Sequence, residues 1–221
     1  EQTLFNRLSV FAGGFGLESV TAVCAIDEIS ESEIFDLLSS LVDKSLVIAD
    51  TAAEQTRYRL LESTRAYADE KLKSAAERER FTRRHAEYLV SLARDADRAS
   101  CNIALLELLS RIEPETDNFR AALDWALREE HDAALGAALA GSLEQLWFEG
   151  GLSVEGRHWI VTALEQISED DHPALAARLW LALSLLHSGK RKFDCAVRAR
   201  GLYIIANDEH GQAHALRSSA R

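Results

Sequence analysis

Apolar residues recur along most of this chain with the 3.6-residue period of helices buried on one side. Leu4, Leu8 and Phe11 form one such stripe, which predicts a helix over about residues 3–12. Gly13-Gly14 is expected to end it through a left-handed cap, with Phe15 tucked under the turn. A second helix is predicted over about residues 17–25. Ser30 and Glu33 have capping-box spacing and predict a third helix through Leu37, Leu38 and Leu41 to about Lys44.

The pattern changes after Lys44. Ser45-Leu46-Val47-Ile48-Ala49 is short and partly β-branched, a polar stretch follows, and Arg57-Tyr58-Arg59-Leu60 alternates. Two such runs around a polar loop predict a β-hairpin. Three helices, a hairpin and a further helix over about residues 62–73 make a winged-helix arrangement. From Glu77 onward the pattern is purely helical. Phe81, His85, Tyr88, Leu89, Leu92 and Ala96 share a face, then Leu105, Leu106, Leu109 and Ile112, then Phe119, Ala122, Leu123 and Ala126. Further helices are predicted over about 133–148, 154–167, 174–187 and 193–206. Pro114 and Pro173, the two prolines, fall between such stretches. Gly150 and Gly189 close two of the later helices 39 residues apart, close to the step of helix-turn-helix repeats.

The expected fold is therefore mainly α. It comprises a winged-helix domain over residues 1–75, a linking helical bundle over 76–130 and degenerate TPR-like hairpins over 131–221. An irregular helical bundle is the alternative for the last part.

Nearly half the residues are hydrophobic (47%), enough for a sizeable core, yet no run approaches a membrane span. No leader opens the chain, and a cytoplasmic protein is expected. The sequence lacks methionine and starts and stops inside apolar helical patterns, so a piece of a longer polypeptide is expected. Cys24, Cys101 and Cys195 are far apart and without the paired spacing of zinc sites, and read as buried thiols. The net charge of −11 is uneven: −8 over residues 1–55, +3 over 56–100 and −6 over 101–221. Acidic chains repel nucleic acid and anionic membranes.

Chemistry is hard to find. Gly136 and Gly141 have P-loop spacing, but Ser142 stands where the lysine belongs, so they read as close-packing glycines in a helix. Gly13, Gly14 and Gly16 follow no strand and make no dinucleotide fingerprint. His210 and His214 are one turn apart but lack the glutamate of HExxH. His85, His131, His158, His172 and His187 are scattered, and no metal site is expected. No serine sits on a nucleophile elbow. Glu79, Arg83 and Glu87 read as a solvated, ion-paired helix face. Arg78, Arg80, Arg83 and Arg84 form the densest basic cluster, diluted by Glu77 and Glu79. The region is expected to be non-enzymatic.

Four ordered stretches resemble bacterial STAND-type signal-transduction ATPases, many of them transcriptional regulators. They are Leu4-Phe5-Asn6-Arg7-Leu8-Ser9-Val10-Phe11-Ala12-Gly13-Gly14-Phe15, Leu41-Val42-Asp43-Lys44-Ser45-Leu46-Val47, Tyr58-Arg59-Leu60-Leu61-Glu62-Ser63-Thr64-Arg65-Ala66-Tyr67-Ala68, and Asp117-Asn118-Phe119-Arg120-Ala121-Ala122-Leu123-Asp124-Trp125-Ala126-Leu127. The likeness spans about residues 3–165. It implies an ATPase domain upstream that holds ATP or ADP, with no cofactor in this region. It implies a winged helix that packs on that nucleotide domain, and repeats that receive a protein or small-molecule inducer. In such proteins a Met-His-Asp-like motif follows the wing. The matching positions here are Leu60, Leu61 and Glu62, so Leu61 and Glu62 are the candidates to face the nucleotide domain. Leu61 cannot donate a hydrogen bond to a phosphate.

The third helix bears on DNA. It carries Glu31, Glu33, Asp36 and Asp43 against Lys44, a net charge of −3. Groove-reading helices need cations and base-reading donors. Docking onto protein is therefore expected, and a DNA-binding winged helix with a helical dimerisation domain is the alternative. In the repeats, Trp147, Phe148 and Trp159 are the interaction candidates, expected to meet between adjacent helices.

Overall fold

The computed structural model of the chain describes residues 1–51, 56–99, 105–129 and 132–219; Cys101 and His131 lie outside them. The chain forms two compact units, one of Glu1–Leu89 and Pro114–Ala122, the other of Val90–Glu113 and Leu123–Arg221. The described residues are mainly α with one two-stranded antiparallel sheet, as the periodicity predicts.

In the first unit, α1 (Gln2–Arg7) tightens into a 3-10 turn at Leu8–Val10, and Phe11 is already extended. Gly13 and Gly14 do not supply a left-handed cap; among the described glycines only Gly151 and Gly189 have positive φ. What these two glycines supply is room. A Cβ on Gly13 would lie 3.2 Å from Asp117 Cβ, and one on Gly14 would lie 3.3 Å from Arg57 Nε. α2 (Leu17–Cys24) and α3 (Glu31–Asp43) follow. Glu33 reaches back as the sequence predicts, its carboxylate accepting from the Ser30 N–H at 3.0 Å and hydroxyl at 2.5 Å.

Helix α3 ends on Ser45, whose φ of 58° is left-handed. Its N–H donates to the Val42 carbonyl at 2.8 Å, and the Leu46 N–H donates to Leu41 at 3.0 Å. This paired cap satisfies the last helical carbonyls. It also consumes the residues expected to open the strand, so β1 starts later, at Ile48–Asp50, and pairs with β2 (Arg57–Arg59). Phe15 joins the sheet by an isolated bridge, exchanging 2.8 Å hydrogen bonds with Tyr58. Helix α4 (Glu62–Ser74) completes a winged helix. Leu4, Leu8, Phe11, Phe15, Ile34 and Phe81 fill its core.

That core also contains a cation. Arg7 is fully buried. Its Nη1 donates to the carbonyls of Cys24 and Ile26 at 3.0 Å, and its Nη2 donates to Glu28 at 2.9 Å. The guanidinium lies 4.4 Å from the Phe81 ring centre. It thus adds a second donor to carbonyls at and just beyond the end of α2, which also accept from the Ile26 and Ile29 N–H groups. The basic cluster at the start of α5 (Arg78–Ala99) is likewise turned to its own unit. Arg78 pairs with Asp69 at 3.0 Å, Arg80 with Asp27 at 2.6 Å, and Arg84 donates to the Val23 and Ala22 carbonyls.

The second unit is built from α6 (Leu105–Ile112), a π-helical turn at Asp124–Arg128 that follows α7 (Thr116–Leu123), and six more helices. These are α8 (Ala133–Ser142), α9 (Glu144–Glu149), α10 (Ser153–Gln166), α11 (Pro173–Leu185), α12 (Gly189–Ile205) and α13 (Glu209–Ser219). The helix predicted over 133–148 is interrupted at Leu143. Across the break the Trp147 indole N–H donates to the Ala140 carbonyl at 3.1 Å. Helix α8 packs against α10 and α11. A Cβ on Gly136 would lie 2.5 Å from Leu127 Cδ2, and one on Gly141 would lie 3.0 Å from Arg178 Cγ. These are the close-packing glycines that the sequence suggests. Helix α12 packs between α11 and α13.

Candidate functional site

The winged helix presents two exposed features. The first is the outer face of α3. Its apolar stripe, Ile34, Leu38 and Leu41, is buried, which turns Glu31, Glu33, Asp36 and Asp43 to solvent beside a half-exposed Phe35. Lys44, the cation at the end of this helix, is ion-paired with the Glu1 carboxylate, which also accepts from the Ser40 hydroxyl at 2.7 Å. Those contacts hold the Glu1 carboxyl below its usual range, the Lys44 hydrogen bond first among the causes. The face keeps its negative charge and has no unneutralised cation of its own.

The second feature is a cleft of about 460 Å³ where α1, α3 and α4 meet. Phe5, Leu41, Leu46 and Tyr67 give it apolar walls, and Ser63 and Thr64 stand at its edge. The Phe5 and Tyr67 rings are 6.4 Å apart, and Lys71 covers the outer side of Tyr67 at 5.0 Å. Leu46 and Tyr67 remain substantially exposed. Apolar surface gathered in one place on a folded domain marks contact with protein more than with nucleic acid.

Leu61 and Glu62 lie at the N-terminus of α4, just before the residues at the cleft edge. Leu61 occupies the N-cap position with extended backbone and a side chain 46% exposed. Glu62 pairs with Arg65 at 2.8 Å, which lowers its pKa. The structure thus gives Glu62 the local basic partner open to it and leaves Leu61 facing solvent.

Asn118, fully buried, was not singled out by sequence reasoning as a site residue. Its Oδ1 accepts from the Gly13 N–H at 3.1 Å, and its Nδ2 donates to the Gly14 carbonyl at 2.9 Å and to Glu115 at 2.6 Å. Glu115 also pairs with Arg57 of the wing at 2.7 Å. The available signal was that Gly13-Gly14 and Asp117-Asn118 both lie in ordered motifs; their separation in sequence hid the contact.

In the second unit the three aromatic candidates divide. Trp147 is fully buried against α10, where a Cβ on Gly156 would lie 2.5 Å from Trp147 Cγ. Trp159 is buried under Arg128, whose guanidinium lies 5.0 Å from the ring centre. Phe148 is 52% exposed and does not share that burial, because one residue along α9 turns it about 100° around the helix axis. Among the described residues no group of three or more His, Cys, Asp or Glu could hold a metal ion, and no helix is long and apolar enough to cross a membrane. Cys24 and Cys195 are buried thiols, and burial pushes Cys24 up to about 12.

This order of helices, hairpin and following helix defines a winged helix, and residues 1–73 match the winged helix-turn-helix domain family. Among curated proteins, the chain is 42% identical over 165 residues to a Mycobacterium tuberculosis protein named "Putative HTH-type transcriptional regulator", and equally to its Mycobacterium bovis counterpart. The alignments cover 75% of this chain and 18% of each relative, so the chain spans about a fifth of their length. An uncharacterized M. tuberculosis protein is 40% identical over 90 residues, which is 40% of this chain and 23% of that protein. No solved structure matches the chain significantly.

Proposed function

We propose that this chain is the winged-helix and helical region of a bacterial transcriptional regulator, and that its winged helix works by docking onto protein. The match over residues 1–73 and the relatives' name support the first part. One observation carries the second: the exposed face of α3 is acidic, and its cation is already paired with Glu1. Bringing that face to a phosphate backbone adds Coulomb repulsion and releases no counterions. The apolar cleft beside it suits a protein surface. In the finer form of this reading the parent is a STAND-type ATPase. The cleft and Leu61 then face an upstream nucleotide-binding domain, and the helical unit, read as TPR-like hairpins, receives the signal.

A second reading has direct support from the comparisons. Winged helix-turn-helix domains are a DNA-binding class, and the relatives are named as HTH-type regulators, which favours a winged helix that itself meets DNA. Fluorescence anisotropy with short labelled duplexes at low salt separates the two. Protein docking predicts no complex beyond weak non-specific association. Direct DNA binding predicts a complex whose affinity falls steeply with salt.

A further inference from the structure

The second unit contains a cavity of about 660 Å³. That is the size of small-molecule pockets, which run from roughly 300 to 1,000 Å³. Its charge is opposite to that of the chain. Four arginines line it, Arg94, Arg98, Arg178 and Arg217, against two carboxylates, Glu144 and Asp208. The net charge of the lining is therefore about +2, in a protein whose net charge is −11.

Both carboxylates are already engaged. Glu144 is buried and lies 3.4 Å from the Arg178 guanidinium, which also donates from Nε to the Gly141 carbonyl at 3.1 Å. Asp208 accepts from the Gly211 N–H at 2.9 Å and caps α13. Tyr203 closes the floor, buried against Gly211, where a Cβ would lie 2.3 Å from the ring. The floor is thus fixed by packing. Around its mouth the cations are more available. Arg94 and Arg217 form no ion pair among the described residues, and Arg98 holds only the exposed Asp95, at 3.1 Å. An exposed pair of that kind is worth little and gives way to a better anion. Leu175 and Leu181 add an apolar wall.

We propose that this cavity binds a small organic dianion, a dicarboxylate or a phosphate monoester, with Arg94, Arg98 and Arg217 gripping its charge above the Arg178–Glu144 floor. Two negative charges neutralise the lining, and a short carbon body rests on the leucines. Guanidinium groups suit both headgroups because their paired donors match carboxylate and phosphate geometry. The proposal gives chemical content to the signal-receiving role read for the helical unit, and takes only its regulatory meaning from that reading.

Isothermal titration calorimetry of the 221-residue chain tests it, with succinate and glycerol phosphate as probes and sodium chloride at equal ionic strength as reference. At least one probe is expected to bind saturably at one site per chain, and which one does identifies the headgroup. The double variant Arg94→Ala/Arg217→Ala, altered only at exposed positions, is expected to weaken that binding at least tenfold without moving the tryptophan-fluorescence melt. Absence of a saturable isotherm for both probes, or wild-type affinity in the double variant, overturns the proposal. No DNA is present in the titration, so its failure leaves the winged-helix reading standing.

Discussion

The two units solve the problem of a helical core in opposite ways. The winged-helix unit packs large rings and aliphatic side chains around buried polar groups: Phe81 lies against Arg7, and Phe11, with Phe15 beside it, packs on a neutral His85. The second unit brings helices together over small residues. Buried Ala137, Ala140, Ala176, Ala177 and Ala199 line its contacts, and glycines receive the faces of Trp147 and Tyr203. The first core depends on polar satisfaction, the second on the absence of side chain. Each is therefore fragile to a different substitution. All four tryptophans lie in residues 123–221, so tryptophan fluorescence follows the second unit, while far-UV circular dichroism follows both.

The largest effect is expected at Arg7. Arg7→Ala removes one donor from each of two carbonyls and from Glu28, and leaves a void beside Phe81. The expected loss is about 3–5 kcal/mol by chemical denaturation, on the scale of breaking a buried charged network. A loss under ~1 kcal/mol would mean that the cation adds nothing to this core. Trp147→Ala is expected to cost a similar ~3–5 kcal/mol, read in the second unit. A loss below about 1 kcal/mol there would contradict its burial.

The reverse substitution sharpens the contrast. Gly156→Ala places a methyl group against the Trp147 ring, not against the free end of a flexible chain. Overpacking of this kind costs about 1–3 kcal/mol. Gly16→Ala, in the first unit, meets nothing within 4 Å and serves as the control.

Acid should act on the first unit through His85. Burial lowers its pKa from 6.5 to about 3, so it stays neutral when folded while the unfolded chain takes up a proton below about pH 6.5. Stability is therefore full above pH 6.5 and falls as pH drops toward 3, by up to ~1.4 kcal/mol per pH unit for one proton. Asp27, lowered chiefly by its Arg80 hydrogen bond, adds its own loss only further into acid. His85→Phe should flatten the dependence between pH 6.5 and 5 in urea titrations. An unchanged slope would show that His85 is not its source. Smallest is Glu33→Ala, which removes the exposed reach-back bond to Ser30 and is expected to lower the urea midpoint only slightly.

Periodicity and capping signals made most of this fold legible. The limits of α2, the reach-back at Ser30, the place of Phe15 and the packing glycines follow from spacing alone. Three things did not. Nothing in the sequence marks Arg7 as buried, because only the folded chain brings the end of α2 to it. The break at Leu143 is hidden because Leu139, Leu143, Leu146 and Trp147 keep a helical spacing across it, although Gly141-Ser142 stands just before it. The late start of β1 comes from a left-handed serine where glycine would have been the signal. Of the candidate sites, the acidity of α3 could be read directly. The cleft and the cationic cavity could not, because each gathers side chains from three or more separate elements.

The proposed docking onto protein requires that α3 of this winged helix not read DNA. Anisotropy titration of a labelled duplex into the chain at about 50 mM salt tests it most directly. Docking onto protein predicts no association beyond weak, sequence-independent binding that substitutions on α3 leave unchanged. A salt-sensitive complex in the micromolar range or tighter, weakened by Lys44→Ala or Ser39→Ala on α3, would contradict it and establish the DNA-binding reading.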